Sequence, residues 1–381
     1  MQIPQIGKAY HSPAPSPPEL KTLTQPFPTS AARQKTEGRQ NGADASILPT
    51  WAGVDSERSR AEIRTQALDW LEQGRFQQRQ RQYDIALACF KRALQQYEFL
   101  QDDPGIGRVL QEIALTHYSA GNYLWALDTA RRSLRLAQAQ GDRHLEQQAL
   151  DCTGNSYRHL GDLEKAIDAL QRSLTAAEAL TDNQAILISL NNLGMAYKAQ
   201  QNYEQAIDHY QRSLALSAAI ANIGITQQIL QNLGNAYHAL GNYAKTLDYY
   251  GQLLTLARNR QDFPTISKTL RNLSTVCYGL GAHEQAIDYL QQRLYLAQRL
   301  GNHQAEAQIL ETMAANYEAL GQPERSLACQ EKRLQACLAL TNLDLQRQVF
   351  ANFKMACLSA GEFDRLLQYA HLFDVLDEET P

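Results

Sequence analysis

Apolar side chains recur at three- and four-residue spacing through most of the chain, and the pattern comes in pairs. One pair is Ile229, Leu230, Leu233 and Tyr237, followed by a glycine at 241 and then Leu247, Tyr250 and Leu254. Because a helix turns once in about 3.6 residues, this spacing gathers each set on one helical face. Each pair therefore predicts two amphipathic helices joined by a tight turn. Shifted against itself, the sequence matches every 40 residues without a gap.

Columns of like residues give the register of this repeat. Gly74, Ala114, Gly154, Gly194, Gly234, Ser274 and Ala314 form one small-residue column, with Lys354 in the last copy. Twelve residues later stand Ala86, Ala126, Ala166, Ala206, Thr246, Ala286 and Ser326, with Leu366 at the end. Small residues suit the closest approach of two antiparallel helices, where a bulkier side chain is expected to cost ~1–3 kcal/mol. Between the two columns lies the turn, with Gly121, Gly161, Gly241, Gly281, Gly321 and Gly361 in register and Arg81 and Gln201 as exceptions. Asp102, Asp142, Asp182, Asn222, Asp262, Asn302 and Asn342 each precede an amphipathic stretch. That placement predicts helix N-caps, each worth ~1 kcal/mol. Pro104 and Pro264 then fall in the first turn, where a missing N–H does no harm.

The phrase L-G-N-x-Y-x-x-L-G-x-Y-x-x-A-I-x-x-Y resembles the tetratricopeptide repeat. Leu233, Gly234, Tyr237, Gly241, Tyr243, Thr246 and Tyr250 carry it here, with their equivalents in seven other copies. The resemblance implies an all-α, right-handed superhelical solenoid of about eight helix-turn-helix units and about 16 helices. The usual unit is ~34 residues long and closes on a proline. Here the proline is absent, and six extra residues lengthen each helix by nearly one turn. Long units with Gly-Asp or Gly-Asn connectors are similar to those of Pins-type spindle-orientation scaffolds, kinesin light chains and many bacterial, notably cyanobacterial, arrays. The array is expected over 56–376, with units near 62–101, 102–141, 142–181, 182–221, 222–261, 262–301, 302–341 and 342–376. The last segment, FDRLLQYAHLFDVL, keeps an apolar face that is expected to fold back or to pair with a second copy as a homodimer.

Composition changes at the N-terminus. Eight of the twelve prolines lie in the first fifty residues, among Ser, Thr and Gln. Such a stretch buries too little apolar surface to offset its ordering entropy, so 1–55 is expected to be a disordered arm. Residues 377–381 form a short acidic tail. A net charge of −4 is small for 381 residues and argues against a nucleic-acid binder. No run approaches the ~18 apolar residues of a membrane span. The start, MQIPQIGKAYHSPAPSPP, lacks the apolar stretch of a secretory signal, so a cytoplasmic protein is expected.

Candidate chemistry is sparse. Cys89, Cys152, Cys277, Cys329, Cys337 and Cys357 form no CxxC pair and sit where small apolar residues suit a helix, which predicts reduced packing residues. No HExxH, GxxxxGK[ST] or GxSxG motif occurs, and neither catalytic residues, metal nor cofactor is expected. The fragment GIGRVL at 105–110 follows a helix rather than a strand and lacks the third glycine of a dinucleotide loop. The sequon Asn272-Leu273-Ser274 lies inside a predicted packed helix, which disfavours glycosylation.

The family resemblance implies a partner site. First helices of such units line a concave surface at −6, −3, −2, +1, +4 and +5 from the small-residue marker. In units three to six this gives Asn155, Arg158, Asn191, Asn192, Lys198, Gln228, Gln231, Asn232, Asn235, His238, Lys268, Arg271 and Asn272, with Asp151 the one acid. Glu72, Glu112, Glu311 and Glu318 flank this stretch. Asn and Gln both donate and accept, so a ladder of them suits the backbone of an extended peptide. Lys198, Lys268 and Arg271 suit its carboxylates. The expectation is a scaffold or adaptor that binds an extended acidic protein segment, with a role in assembling a multisubunit complex. A regulatory sensor of a short signalling peptide is the alternative. The chaperone-tail clamp of the family does not transfer: Asn232 and Lys268 match it, while Asn191, Met195 and Asn272 stand where it has a lysine, an asparagine and an arginine.

Overall fold

A computed structural model describes residues 57–376, apart from 221. The arm expected at 1–55 and the acidic tail at 377–381 lie outside the described residues. The described chain is helical throughout: α1 (Glu57–Arg79), α2 (Tyr83–Leu100), α3 (Asp103–Ser119), α4 (Tyr123–Gln140), α5 (Arg143–Leu160), α6 (Leu163–Ala179), α7 (Asn183–Ala199) and α8 (Tyr203–Ile220). There follow α9 (Ile223–Ala239), α10 (Tyr243–Asn259), α11 (Phe263–Gly279), α12 (His283–Arg299), α13 (His303–Ala319), α14 (Pro323–Leu338) and α15 (Leu343–Ala360). Each helix packs on the next, and the odd-numbered helices α1 to α9 also touch one another in succession. That extra contact puts the first helices of units one to five on the inner side of a right-handed solenoid.

All eight residues of the turn column adopt the left-handed conformation. The six glycines have φ between 66° and 85°, and Arg81 and Gln201 take the same shape at 61° and 65°. The turn demands this because the amide of the column residue and the next one return to carbonyls of the helix just ended, as Gly241 does to His238 and Asn242 to Tyr237. An L side chain held there costs ~1–2 kcal/mol. Glycine loses more entropy on folding, which offsets part of the gain. Gln201→Gly is therefore expected to stabilise the array by about 0.5–1 kcal/mol. A thermal melt of the variant against the parent checks it; an unchanged or lowered midpoint contradicts the account.

The capping column forms as expected. All seven Asp and Asn side chains accept an amide hydrogen bond from the first turn of the helix that follows, for example Asp142 from Leu145 at 3.0 Å and Asn302 from Ala305 at 2.9 Å. Asp162, Asn202 and Asn242 cap the second helices of their units in the same way. Thus in these three units the residue after the turn column is a second cap, whereas Asn122, which follows Gly121, makes no such side-chain bond.

The marker glycines meet a different partner from the small column twelve residues on. A Cβ on Gly154 would stand 2.5 Å from Leu170 Cγ, and one on Gly194 2.5 Å from Tyr210 Cε1. The same holds for Gly74 against Phe90 and Gly234 against Tyr250. The rule is a large side chain sixteen residues after a glycine. Where the marker is Ala114 the sixteenth residue shrinks to Ala130. A third column, Ser133, Ser173 and Ser213, is buried and donates to carbonyls 26 residues earlier, those of Gly107, Gln147 and Leu187. Gly105 and Gly107, the glycines of GIGRVL, lie against Tyr97 and Leu145 and serve helix packing. All six cysteines are buried and unpaired, and burial pushes the Cys152 thiol up to about 12.

The sixteenth helix is broken. It becomes α16 (Phe363–Leu367), a 3-10 turn at Ala370–Leu372 and the single turn α17 (Phe373–Leu376). The breaks let Leu366, Leu372 and Leu376 fold back over Phe350 and Phe353 of α15. Tyr369 and Phe373 meet these rings edge-on, with centroids 5.3 Å apart in each case. The folding back expected as one outcome for this end is seen, and it buries those three leucines.

Candidate partner-binding groove

Helices α5, α7, α9 and α11 carry the thirteen residues projected from the sequence, and the structure divides them into two sets. Asn155, Asn191, Asn192 and Asn232 are buried. Asn192 Nδ2 donates to Asp151 Oδ1 at 2.8 Å, and Asn232 Nδ2 donates to Asn191 Oδ1 at 3.3 Å. Both bonds link a residue to one 41 positions earlier, so each staples a unit to the unit before it. Asn155 Nδ2 donates to the carbonyl of Asp151 at 3.0 Å and to its Oδ2 at 3.3 Å. These amides spend much of their bonding capacity inside the array.

The second set is more open to solvent. Gln228, His238, Lys268 and Arg271 are exposed, while Arg158, Lys198, Gln231, Asn235 and Asn272 are half-buried. Asn235 Oδ1 accepts from Tyr250 Oη at 2.7 Å and from Gln231 Nε2 at 3.2 Å. Gln228 reaches back only to Met195 Sδ, at 3.8 Å. Arg158 Nη2 lies 2.9 Å from His159 Nε2 and 3.4 Å from Tyr118 Oη, and its buried Nε has no partner. The His159 ring stacks on Tyr123 with centroids 4.2 Å apart, and burial together with the Arg158 charge lowers its pKa.

Charge along the groove is one-sided. Burial, then the charges of Arg158 and Lys268, push the Lys198 ammonium below its ordinary pKa. Arg293 is lowered in the same sense by burial and by Arg271. Among the described residues, no carboxylate forms an ion pair with Arg158, Lys198, Lys268 or Arg271. Elsewhere several cations are paired, among them Arg75 with Glu72 and Glu112, Arg143 with Glu146, Arg333 with Glu311 and Arg365 with Glu331. Asp151, the one acid, is raised to about 6, because burial outweighs the hydrogen bonds from Asn192 and Asn155 and the charge of Arg158.

Sequence reasoning noted Asp151 but not its place as the hub of the unit-three to unit-four contact. It also missed Tyr118 and Tyr250, which reach the groove residues from neighbouring elements. The signal was present in the alignment of units, where the −2 residue of one unit can donate to the −3 residue of the unit before. Among the described residues no three His, Cys, Asp or Glu side chains gather as a metal site, and no helix is long and apolar enough to cross a membrane.

The tetratricopeptide repeat pattern matches residues 66–139, 146–219, 226–294 and 265–339, well over half of the chain. The chain belongs to the tetratricopeptide repeat family. Tetratricopeptide repeat arrays are protein-interaction folds that bind protein or peptide partners. No curated protein matches the chain in sequence. Among solved structures, it is similar to the signal transduction ATPase with a tetratricopeptide repeat sensor from Pyrococcus horikoshii, with a TM-score of 0.58 and 18% identity. That likeness covers 84% of this chain and 49% of the other, so this array spans about half the length of that protein. Aspartyl phosphate phosphatase F from Bacillus subtilis is similar at a TM-score of 0.53 and 19% identity, over 76% and 74% of the two chains. The quorum sensor NprR from B. thuringiensis follows at 0.50 and 16%, over 84% and 93%. At these identities the likeness is one of tetratricopeptide repeat fold.

Proposed function

We propose that this array is a non-catalytic scaffold whose inner groove holds an extended acidic segment of a partner protein across units three to six. The observation that carries this reading is the run of cations on α5, α7 and α11 without carboxylate partners among the described residues, Arg158, Lys198, Lys268 and Arg271, whereas Arg75 on α1 is paired with Glu72 and Glu112. Like charges held close together raise one another's cost, and Lys198 registers it. An incoming carboxylate relieves that cost and makes charge-assisted hydrogen bonds. The exposed amide of Gln228 and the half-buried ones of Gln231 and Asn272 suit the peptide backbone between such carboxylates. The buried asparagines act one step behind, by fixing the spacing of the helices that present these groups.

The test is affinity capture from lysate of the source organism with the full chain, compared with Lys268→Glu/Arg271→Glu. Both residues are exposed, so the two proteins are expected to melt alike. A protein held by the parent is expected to lose about tenfold or more in affinity on charge reversal, and to bind less well as salt rises. Capture that survives the reversal contradicts the groove reading. If the ligand that depends on these residues is a free short peptide, the array is a sensor rather than a scaffold.

A further inference from the structure

Units five and six depart from the repeat at four positions, Arg258 in the first and three in the second, that come together on the side of α11 away from Lys268 and Arg271. Phe263 occupies a column that otherwise holds Asp103, Arg143, Asn183, Ile223, His303 and Leu343. Tyr295 is the one aromatic in a column of Gln95, Arg135, Thr175, Ala215, Thr255 and Gln335. Arg258 and Arg299 are the only cations in theirs, where the other units carry Glu, Gln, Ala or Leu and Phe, Ala or Asn. A repeat keeps its core by repetition, so a cluster of unlike side chains at surface columns is not required by stacking.

These four residues surround a cavity of about 470 Å³ in the outer groove between α10 and α12. Its floor is Ile266, Leu270 and Leu296, and its wall includes Phe263 and Tyr295. Tyr295 is 63% exposed, although a tyrosine ring buries well when a neighbour is offered. The two guanidiniums stand at the rim. Arg258 is held by Gln292, and Arg299 lies over the Tyr295 ring at 5.8 Å from its centroid. No acid lines the cavity, and neither arginine has a carboxylate partner among the described residues. The volume falls within the ~300–1,000 Å³ of pockets that enclose small ligands or anchoring side chains.

We propose that this outer cavity is a second binding site, which takes a partner peptide presenting a bulky apolar side chain next to an aspartate or glutamate. The apolar group fills the space over Ile266, Leu270 and Leu296 and covers Tyr295. The adjacent carboxylate meets Arg258 or Arg299. Charge complementarity selects the acid, and the shape of the pocket selects the ring or branched chain. The site is separate from the inner groove, because positions 263, 266 and 270 lie on the helical face opposite 268, 271 and 272 at 100° per residue.

A phage library of random twelve-residue peptides, selected on the full chain, tests the proposal. Enriched peptides are then measured by fluorescence anisotropy against the parent, Tyr295→Thr/Arg299→Ala and Lys268→Glu/Arg271→Glu. Thr and Ala are the residues that sister units carry in those columns, and melting curves confirm that the variant keeps its fold. The expected result is a set of peptides with an aromatic or large aliphatic residue beside an acid. Their affinity falls at least tenfold in Tyr295→Thr/Arg299→Ala and is unchanged in Lys268→Glu/Arg271→Glu. Three outcomes overturn the proposal: no enrichment, peptides without an acid, or enriched peptides that bind Tyr295→Thr/Arg299→Ala as tightly as the parent. Peptides lost only with the groove variant would support the inner site and refute this one.

Discussion

Gly234→Ala is expected to destabilise the array by about 2–3 kcal/mol, although alanine is the better helix former by ~1 kcal/mol. The sign is set by Tyr250. Its ring lies against the glycine, and an added Cβ would stand 2.6 Å from Cδ1. The ring cannot swing aside, because it is 3% exposed and its hydroxyl is tied to Asn235 Oδ1. The helices must separate instead, and the interfaces of unit five with units four and six weaken together. In a solenoid, stability is nearly a sum of unit and neighbour terms, so a weak unit in the middle splits the melt into two steps.

Tyr250→Ala supplies the control. Alone it leaves a cavity and costs about 3–4 kcal/mol. In that background Gly234→Ala meets no ring, and the pair becomes the Ala114–Ala130 combination that unit two already carries. The second substitution is then expected to be neutral or to stabilise by up to ~1 kcal/mol. The coupling energy from the four proteins is therefore about 2–4 kcal/mol, measurable by urea titration followed by circular dichroism. Equal costs for Gly234→Ala in both backgrounds would mean that the glycine is needed for backbone freedom and not for the ring.

This pairing shows what the sequence made legible. The 40-residue period, the turn column and the capping column follow from local rules of spacing, handedness and capping, and each appears in the structure at the expected residues. The link between Gly234 and Tyr250 is also periodic, at sixteen residues, but it is a size match between two helices. Local rules offer no reason to prefer it to the twelve-residue column. The groove was legible in the same uneven way. Lys268 and Arg271 are exposed, which follows from helical angle alone. Asn155, Asn191, Asn192 and Asn232 share the inner face, but the closeness of successive first helices buries them. That closeness arises from how whole units stack, whereas the marker glycines meet the second helix of their own unit. The breaks in the last helix were not legible either: nothing in FDRLLQYAHLFDVL interrupts its periodicity, and the bend is imposed by the uncovered face of α15.

Asp151→Asn is expected to make the array more stable at neutral pH and no more stable in acid. Burial raises the Asp151 carboxyl from 3.8 to about 6, so the folded chain binds this proton more tightly than the unfolded chain does. Stability from this group is accordingly highest below about pH 4 and declines as pH rises to about 6; above that the whole cost of the buried charge, about 3 kcal/mol, is present. Asparagine removes the charge and can still accept from Asn192, while the 3.3 Å bond from Asn155 to the second carboxylate oxygen is lost and its bond to the backbone carbonyl is kept. The net gain at pH 8 is therefore about 1–2 kcal/mol, shrinking to nothing near pH 4.5. Asp162 and Asp262 are shifted the opposite way by their hydrogen bonds to Lys165 and Thr265, and both contribute a slope of the other sign. For that reason the parent alone will not reveal the effect, and the quantity to follow is the difference between variant and parent in urea midpoint across pH. A pH-independent difference would show that Asp151 carries no buried charge. The same substitution removes the one acid from a groove that otherwise presents cations. If the groove holds an acidic segment, Asp151→Asn binds it more tightly at pH 8, and parent and variant converge as Asp151 takes up its proton. A residue that stabilises the array least at the pH where it most weakens an anionic ligand is difficult to explain by folding alone, and its place at the unit-three to unit-four contact is understandable if it limits the strength or the range of what the groove accepts.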